Sequence, residues 1–251
     1  MSQTAYTAEA YAPRARDYVS SAVHSAGADL DQVEEFLRAW RPARALDLGS
    51  GGGHVSYRAA PWAGTVTAVD PTASMLDAVR QTAAERSIGN ITVQQAAAEA
   101  LPFPDGLFDA VLCRYTAHHW PDVPAGLREA HRVLGANGRG VFIDSVAPPD
   151  RVLDTHLQAV ELLRDPSHVR NYALEEWTSM LGAAGFAIDG VTLRKVRMDF
   201  PVWTARTRTP PAMAAAIRAL QDGAPPAVRS HFAVGPDGSF DLDVATIVVA
   251  G

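Results

Sequence analysis

The chain has 251 residues, 47% of them hydrophobic and 20% charged, with a formal net charge of −6. That balance suits one good-sized α/β domain that folds without disulfides or structural metal, and the single cysteine, Cys113, excludes an internal disulfide and a thiolate metal cage. No run nears the ~20 apolar residues of a membrane span, residues 1–12 are too polar for a signal peptide, and no Lys/Arg tract is dense enough to clamp a phosphate backbone, so a cytoplasmic protein without nucleic-acid partners is expected.

A helical lead-in is predicted to end over residues 29–40. From residue 44 to 144 apolar runs alternate with helical patterns, the signature of a parallel sheet covered by helices. Strands are predicted at 43–48, 65–69, 91–94, 110–113 and 140–145. A short helix starts at Gly53, and a longer one over 72–86 carries Met75, Leu76 and Val79 on one face. Asp122 is placed to cap the next helix, with Pro124 in its first turn. Val123, Leu127, Ala130 and Leu134 then form one buried stripe, and Asn137-Gly138 turns the chain into the fifth strand. Past Ser145 the alternation stops. Helices are expected at 150–164 and 174–184, a strand at 186–196, a proline-flanked helical insert at 203–221 and a closing strand at 239–249. The division is therefore a single domain with an N-terminal arm (1–40), a core (41–146), and lid inserts with closing strands (147–251). Arm and inserts can fold over the strand ends, where open α/β sheets bind their ligands.

The strongest chemical signal is Asp47-Leu48-Gly49-Ser50-Gly51-Gly52-Gly53, at the junction of a strand and a helix. Glycines there let the backbone turn sharply and approach a ligand. A dinucleotide loop needs G-x-G-x-x-G, but the sixth position is His54. The pattern is D-x-G-x-G-x-G instead. A carboxylate before the first glycine would repel a pyrophosphate, yet favours a ligand with an ammonium and a sulfonium. Asp70, followed by Pro71, ends the second strand 23 residues after Asp47. An acid at about that distance can accept from both ribose hydroxyls. Met75, on the next helix, can pack one face of an adenine besides serving the core.

In this order, these elements resemble the class I S-adenosylmethionine methyltransferases. The segments 95–103 (QAAAEALPF), 105–109 (DGLFD), His118-His119-Trp120 and 129–134 (EAHRVL) narrow the resemblance to the ubiquinone/menaquinone-biosynthesis C-methyltransferase-like group. It extends over nearly the whole chain, including 21–24 and 206–210. The resemblance implies a Rossmann-like methyltransferase fold: a mostly parallel, seven-stranded sheet with helices on both faces and helical lid inserts. Carried over by position, it implies that Asp47 and the turn of Gly49, Ser50 and Gly51 hold the methionine end of S-adenosylmethionine. Asp70 would bind the ribose, Ala97, Ala98 and Glu99 would border the adenine, and Arg114 would lie beside the methionine moiety. Tyr18 and His24 lie in the arm that closes over the cofactor in similar enzymes. Two positions depart from the group. Ala97 stands where many relatives place an aspartate for the adenine amino group, and Ala136-Asn137-Gly138 replaces a frequent Pro-Gly-Gly.

His118 and His119 follow the fourth strand, at the mouth of the expected site. Methyl transfer needs alignment, exclusion of water and, for some acceptors, a base. Imidazole suits that base role, and His119 is placed slightly ahead of His118. The eight histidines form no H-x-x-x-H pair with adjoining acids, so no metal site is expected. The expected function is methyl transfer from S-adenosylmethionine to a small organic molecule. A non-catalytic module that binds the cofactor is one alternative. An NAD(P)-dependent oxidoreductase is another, weakened because the only lysine, Lys195, has Val191 four residues before it and so lacks a Tyr-x-x-x-Lys dyad.

Overall fold

The computed structural model describes residues 1–14 and 27–251. The chain starts with helix α1 (Gln3–Tyr11) and, from residue 27, continues with α2 (Ala28–Trp40). The alternating core follows as β1 (Arg44–Leu48), α3 (His54–Ala59), β2 (Thr65–Asp70), α4 (Ala73–Glu85), β3 (Ile91–Gln95) and β4 (Phe108–Arg114). A 3₁₀ turn (Ala117–His119), α5 (Val123–Val133) and β5 (Leu134–Ala147) complete it. The last third contains α6 (Arg151–Arg164), β6 (Tyr172–Ala173), α7 (Leu174–Ala184), β7 (Ala187–Met198), α8 (Phe200–Arg206), α9 (Pro211–Asp222), α10 (Pro226–His231) and β8 (Phe240–Ala250). Among the described residues, no helix is long and apolar enough to cross a membrane.

The sheet order is β3-β2-β1-β4-β5-β8-β7, with the two-residue β6 paired to β5. β8 runs antiparallel to both its neighbours, and the other pairings are parallel. Successive side chains of a strand face opposite sides, which sets two apolar layers. Leu46, Leu48, Val111 and Phe142 pack with α5 and α7, whereas Ala45, Val66, Leu112 and Ile143 pack with α2 and α3. α5 shows why its sequence chose that place. Asp122 accepts from the Ala125 N–H at 2.9 Å, and Val123, Leu127 and Ala130 are wholly buried. Each large side chain of such a stripe contributes about 2 kcal/mol. A third apolar cluster joins α6, α8, α9 and α10 to Met198 at the end of β7 and to Phe240 and Leu242 at the start of β8. It stands at the carboxyl edge of the parallel strands, in the part of the chain expected to form the lid.

Three elements differ from the sequence reading. Asn137-Gly138 makes no separate turn: β5 begins at Leu134, and its pairing jumps from Phe108↔Leu134 to Ala110↔Arg139. The extra residues are taken up as an irregularity inside the strand. The insert at 203–221 is two helices rather than one, and a third follows at 226–231, because Pro210-Pro211 and Pro225-Pro226 each remove backbone donors and restart the chain at a helix N-terminus. β6 was not predicted; two residues carry no readable periodicity.

Candidate active site

The strand order reverses beside β1, between β2 and β4, so the crevice at the carboxyl ends of these strands is the natural ligand position. The tips of β1 and β2 are adjacent, with Leu48 opposite Val69. Both Gly49 N–H and Ser50 N–H donate to the Val69 carbonyl at 2.8 Å, and Gly51 N–H donates to Asp70 Oδ2 at 2.9 Å. Gly49 and Gly51 adopt φ of +73° and +48°. Their surroundings differ. A Cβ on Gly49 would lie 2.2 Å from Thr116 Oγ1, whereas a Cβ on Gly51 would meet nothing within 4 Å. Gly51 therefore leaves room that the protein itself does not fill.

A cavity of about 450 Å³ opens there. Gly49, Gly51, Asp70, Pro71, Met75, Ala97, Ala98, Glu99, Arg114, His118 and His119, all singled out from the sequence, line it. Asp70 is buried, and burial raises its carboxyl above the ordinary value although the N–H groups of Thr72 and Gly51 both donate to it. Arg114 Nε donates to Asp29 Oδ2 at 2.6 Å in a buried ion pair from β4 to α2. Asp47 and Ser50 are not among the lining residues. The Asp47 carboxylate is turned back into the protein, where it accepts from Ser56 Oγ at 2.6 Å, and Ser50 Oγ is buried with no hydrogen-bond partner among the described residues. Tyr18 and His24 lie outside the described residues.

Burial lifts the Asp47 carboxyl to about 7 against the bonds from Ser56 that lower it. The unfolded chain ionises near 3.8, so this group withdraws stability as pH rises from about 4 to about 7, after which the loss is complete. Asp47→Asn keeps the Ser56 bond and removes that dependence. Relative to the parent chain, its unfolding free energy, measured by urea titration, is expected to gain about 2–3 kcal/mol between pH 5 and pH 8. A constant difference over that range would contradict the buried acid.

The two adjacent histidines are held differently. His118 Nδ1 lies 2.6 Å from Asp144 Oδ1 at the end of β5. Burial opposes its charge, but Asp144, by proximity and by that hydrogen bond, holds its pKa above 6.5. His119 has both ring nitrogens engaged, Nδ1 with the Ser167 carbonyl at 3.1 Å and Nε2 with the Tyr11 hydroxyl at 3.2 Å. Burial and the neighbouring His118 lower its pKa to about 4. The Tyr11 hydroxyl gives its one proton to Asp165 Oδ2 at 2.5 Å, so α1, the 3₁₀ turn and the loop after α6 meet at one point. Sequence reasoning missed Asp29, Tyr11, Asp144 and Asp165. Only Asp144 carried a signal, as a lone acid at the carboxyl end of an apolar strand; the others come from far away in the chain.

A methyltransferase-domain family model matches residues 46–142. Over 195 residues the chain is 45% identical to the Escherichia coli protein YafE, covering 78% of this chain and 94% of that one. It is 31% identical over 212 residues to the ubiquinone/menaquinone biosynthesis C-methyltransferase UbiE of Serratia proteamaculans, covering 69% of this chain and 84% of the relative. Among solved structures, the YcgJ protein of Bacillus subtilis superimposes with a TM-score of 0.85 at 33% identity, over 88% of this chain and 97% of that one.

Proposed function

The chain belongs to the class I S-adenosylmethionine-dependent methyltransferases, in the ubiquinone/menaquinone-biosynthesis C-methyltransferase-like group, and we propose that its cavity seats the cofactor against the tips of β1 to β3 and a small organic acceptor against the loop after β4. The observation that carries this reading is that one cavity joins Gly51 and Asp70 to His118.

The residues fit the cofactor. The bare backbone at Gly51 admits a ligand where a side chain would stand. Asp70, fixed by two backbone donors, keeps lone pairs for both ribose hydroxyls. Met75, Pro71, Ala97 and Ala98 offer apolar surfaces to the adenine, and Glu99 borders its edge, since Ala97 supplies no acid. Arg114, anchored by Asp29, stands on the methionine side. Asp47 and Ser50 support the loop from behind rather than facing the ligand. When bound, S-adenosylmethionine supplies a methyl carbon activated by its sulfonium.

His118 accepts the acceptor's proton at Nε2, the nitrogen left after Nδ1 is committed to Asp144. Gly51, Asp70 and Arg114 would hold S-adenosylmethionine so that its methyl carbon could take the acceptor's electron pair while its sulfur took the pair of the carbon–sulfur bond. His119 pins the lid loop and α1 beside that point. The arm and lid exclude water, which also strengthens the electrostatic contacts inside. The names of the UbiE relatives suggest a quinone-ring precursor as acceptor, and the lone buried thiol suits the cytoplasm.

Calorimetry with S-adenosylmethionine and its demethylated product tests the assignment. Asp70→Ala removes a charged acceptor and the brace on Gly51, and is expected to weaken binding about tenfold or more. Unchanged affinity in that variant contradicts the ribose assignment. Release of S-adenosylhomocysteine in a screen of candidate acceptors separates an enzyme from a module that only binds.

A further inference from the structure

The cavity extends to β7 and β8, where Arg194, Val196 and Val244 join Tyr115 in its wall. The cations around Arg194 have carboxylates of their own. Arg114 pairs with Asp29, Arg164 with Glu161, Lys195 with Asp243 at 2.8 Å and Arg197 with Asp241 at 3.1 Å. Arg194 does not. Its guanidinium donates to Thr246 Oγ1 at 2.9 Å and to Gln32 Oε1 at 2.6 Å, both neutral, and no carboxylate among the described residues pairs with it. A partly buried cation held by dipoles alone lacks the counter-charge that offsets its lost hydration. Its fork also keeps further N–H groups uncommitted.

Tyr115 belongs to the same part of the wall. Its N–H donates to the Ile143 carbonyl at 2.8 Å and its φ is +51°. Bulky side chains rarely enter that region, so the turn out of β4 fixes the ring where it stands. The Arg114 guanidinium lies over the ring at 4.7 Å. The residue is only partly buried, and among the described residues its hydroxyl takes no hydrogen-bond partner. Burial, and then the Asp29 charge, hold the phenol well above its ordinary pKa, against the pull of Arg114 and Arg194. The hydroxyl therefore stays protonated, a donor between two guanidinium groups. One face of α2 braces the arrangement: Asp29 holds Arg114, and Gln32, three residues on, holds Arg194.

We propose that Arg194 and Tyr115 form a carboxylate-binding site in the cavity wall, Arg194 supplying the charge and Tyr115 a hydroxyl donor. A single unmatched positive charge suits a monoanion, and the planar fork of a guanidinium matches the two oxygens of a carboxylate. In the methyl-transfer reading, on which this assignment rests, two carboxylates can reach the site: that of the methionine end of the cofactor and one carried by the acceptor. Either would meet donors that the fold already holds in place, so little ordering is needed on binding.

Calorimetry on the full chain tests this in two arms. The first compares S-adenosylhomocysteine with S-adenosyl-3-thiopropylamine, the same molecule without its carboxylate. The second compares benzoate with benzyl alcohol, on the chain alone and on the chain saturated with S-adenosylhomocysteine. In at least one arm the carboxylate form is expected to bind about tenfold more tightly or better, as a hydrogen bond to a charged group provides. Arg194→Gln should abolish most of that preference and Tyr115→Phe should reduce it about threefold or more, while both keep the affinity for the uncharged or decarboxylated probe. A preference lost in the first arm assigns the site to the cofactor, and one lost in the second assigns it to the acceptor. Should S-adenosylhomocysteine not bind the parent chain, the methyl-transfer reading fails, and the benzoate arm on the chain alone still judges the site. If Arg194→Gln does not fold, Tyr115→Phe, which removes only an oxygen, decides. No preference for a carboxylate in either arm, or one that the folded variants retain in full, overturns the proposal.

Discussion

A His118→Ala variant should lose about two to four orders of magnitude in kcat, the usual contribution of a positioned base, while its affinity for S-adenosylmethionine stays within about twofold. The expectation follows from the pair of histidines being chemically unlike. His118 is oriented by Asp144 through a 2.6 Å bond, and its second nitrogen is left for chemistry. His119 turns its two nitrogens toward Ser167 and Tyr11 rather than toward a ligand, and its lowered pKa keeps it neutral and weakly basic at pH 7. His119→Ala should therefore cost less than tenfold in kcat. The pH profile makes the test stricter. The acid limb of kcat/KM should have its midpoint above 6.5, because Asp144 raises the His118 pKa against burial. Asp144→Asn removes the raising influence and leaves the burial, so the midpoint should fall below 6.5 as the plateau drops. A wild-type profile in the alanine variant would remove His118 from the mechanism.

The largest effect on stability is expected from Trp203→Ala, at about 3–5 kcal/mol of unfolding free energy. Trp203 is 1% exposed, stands edge-on to Phe240 at 4.9 Å between ring centroids and lies under the Arg164 guanidinium at 4.8 Å. It joins α8 to the start of β8 within the lid cluster and also forms part of the cavity wall. Removing it leaves a void with few neighbours able to collapse into it. Thermal and urea unfolding measure the loss, and hydrogen exchange should show amides of α6, α8 and α9 opening before those of β1 and β4. A loss below about 1 kcal/mol would mean that the lid holds together by other contacts.

The sheet was readable because its strands are continuous apolar runs separated by helical stripes. β1 to β3 match their predicted positions to within two residues at either end, and β4 extends the predicted run by a residue or two. The glycine loop, Asp70 and the histidine pair were legible because they are local patterns fixed to strand ends. What the sequence did not display is pairing over distance. Tyr11 meets Asp165 across 154 positions and Asp29 meets Arg114 across 85, and neither pair leaves a local trace. Asp47 was read correctly as a strand-end acid, but the side toward which it turns depends on Ser56, nine residues on, at the buried face of α3.

The turn after β1 contains two glycines that answer to different demands. Gly49 is kept small by Thr116, an internal neighbour present whether or not a ligand is bound. Gly51 has no such neighbour, and beyond the modest strain of its positive φ the folded chain does not object to an asparagine there. A chain drifting under demand for thermal robustness alone would retain the first glycine and release the second, losing its chemistry while still melting as a healthy protein does.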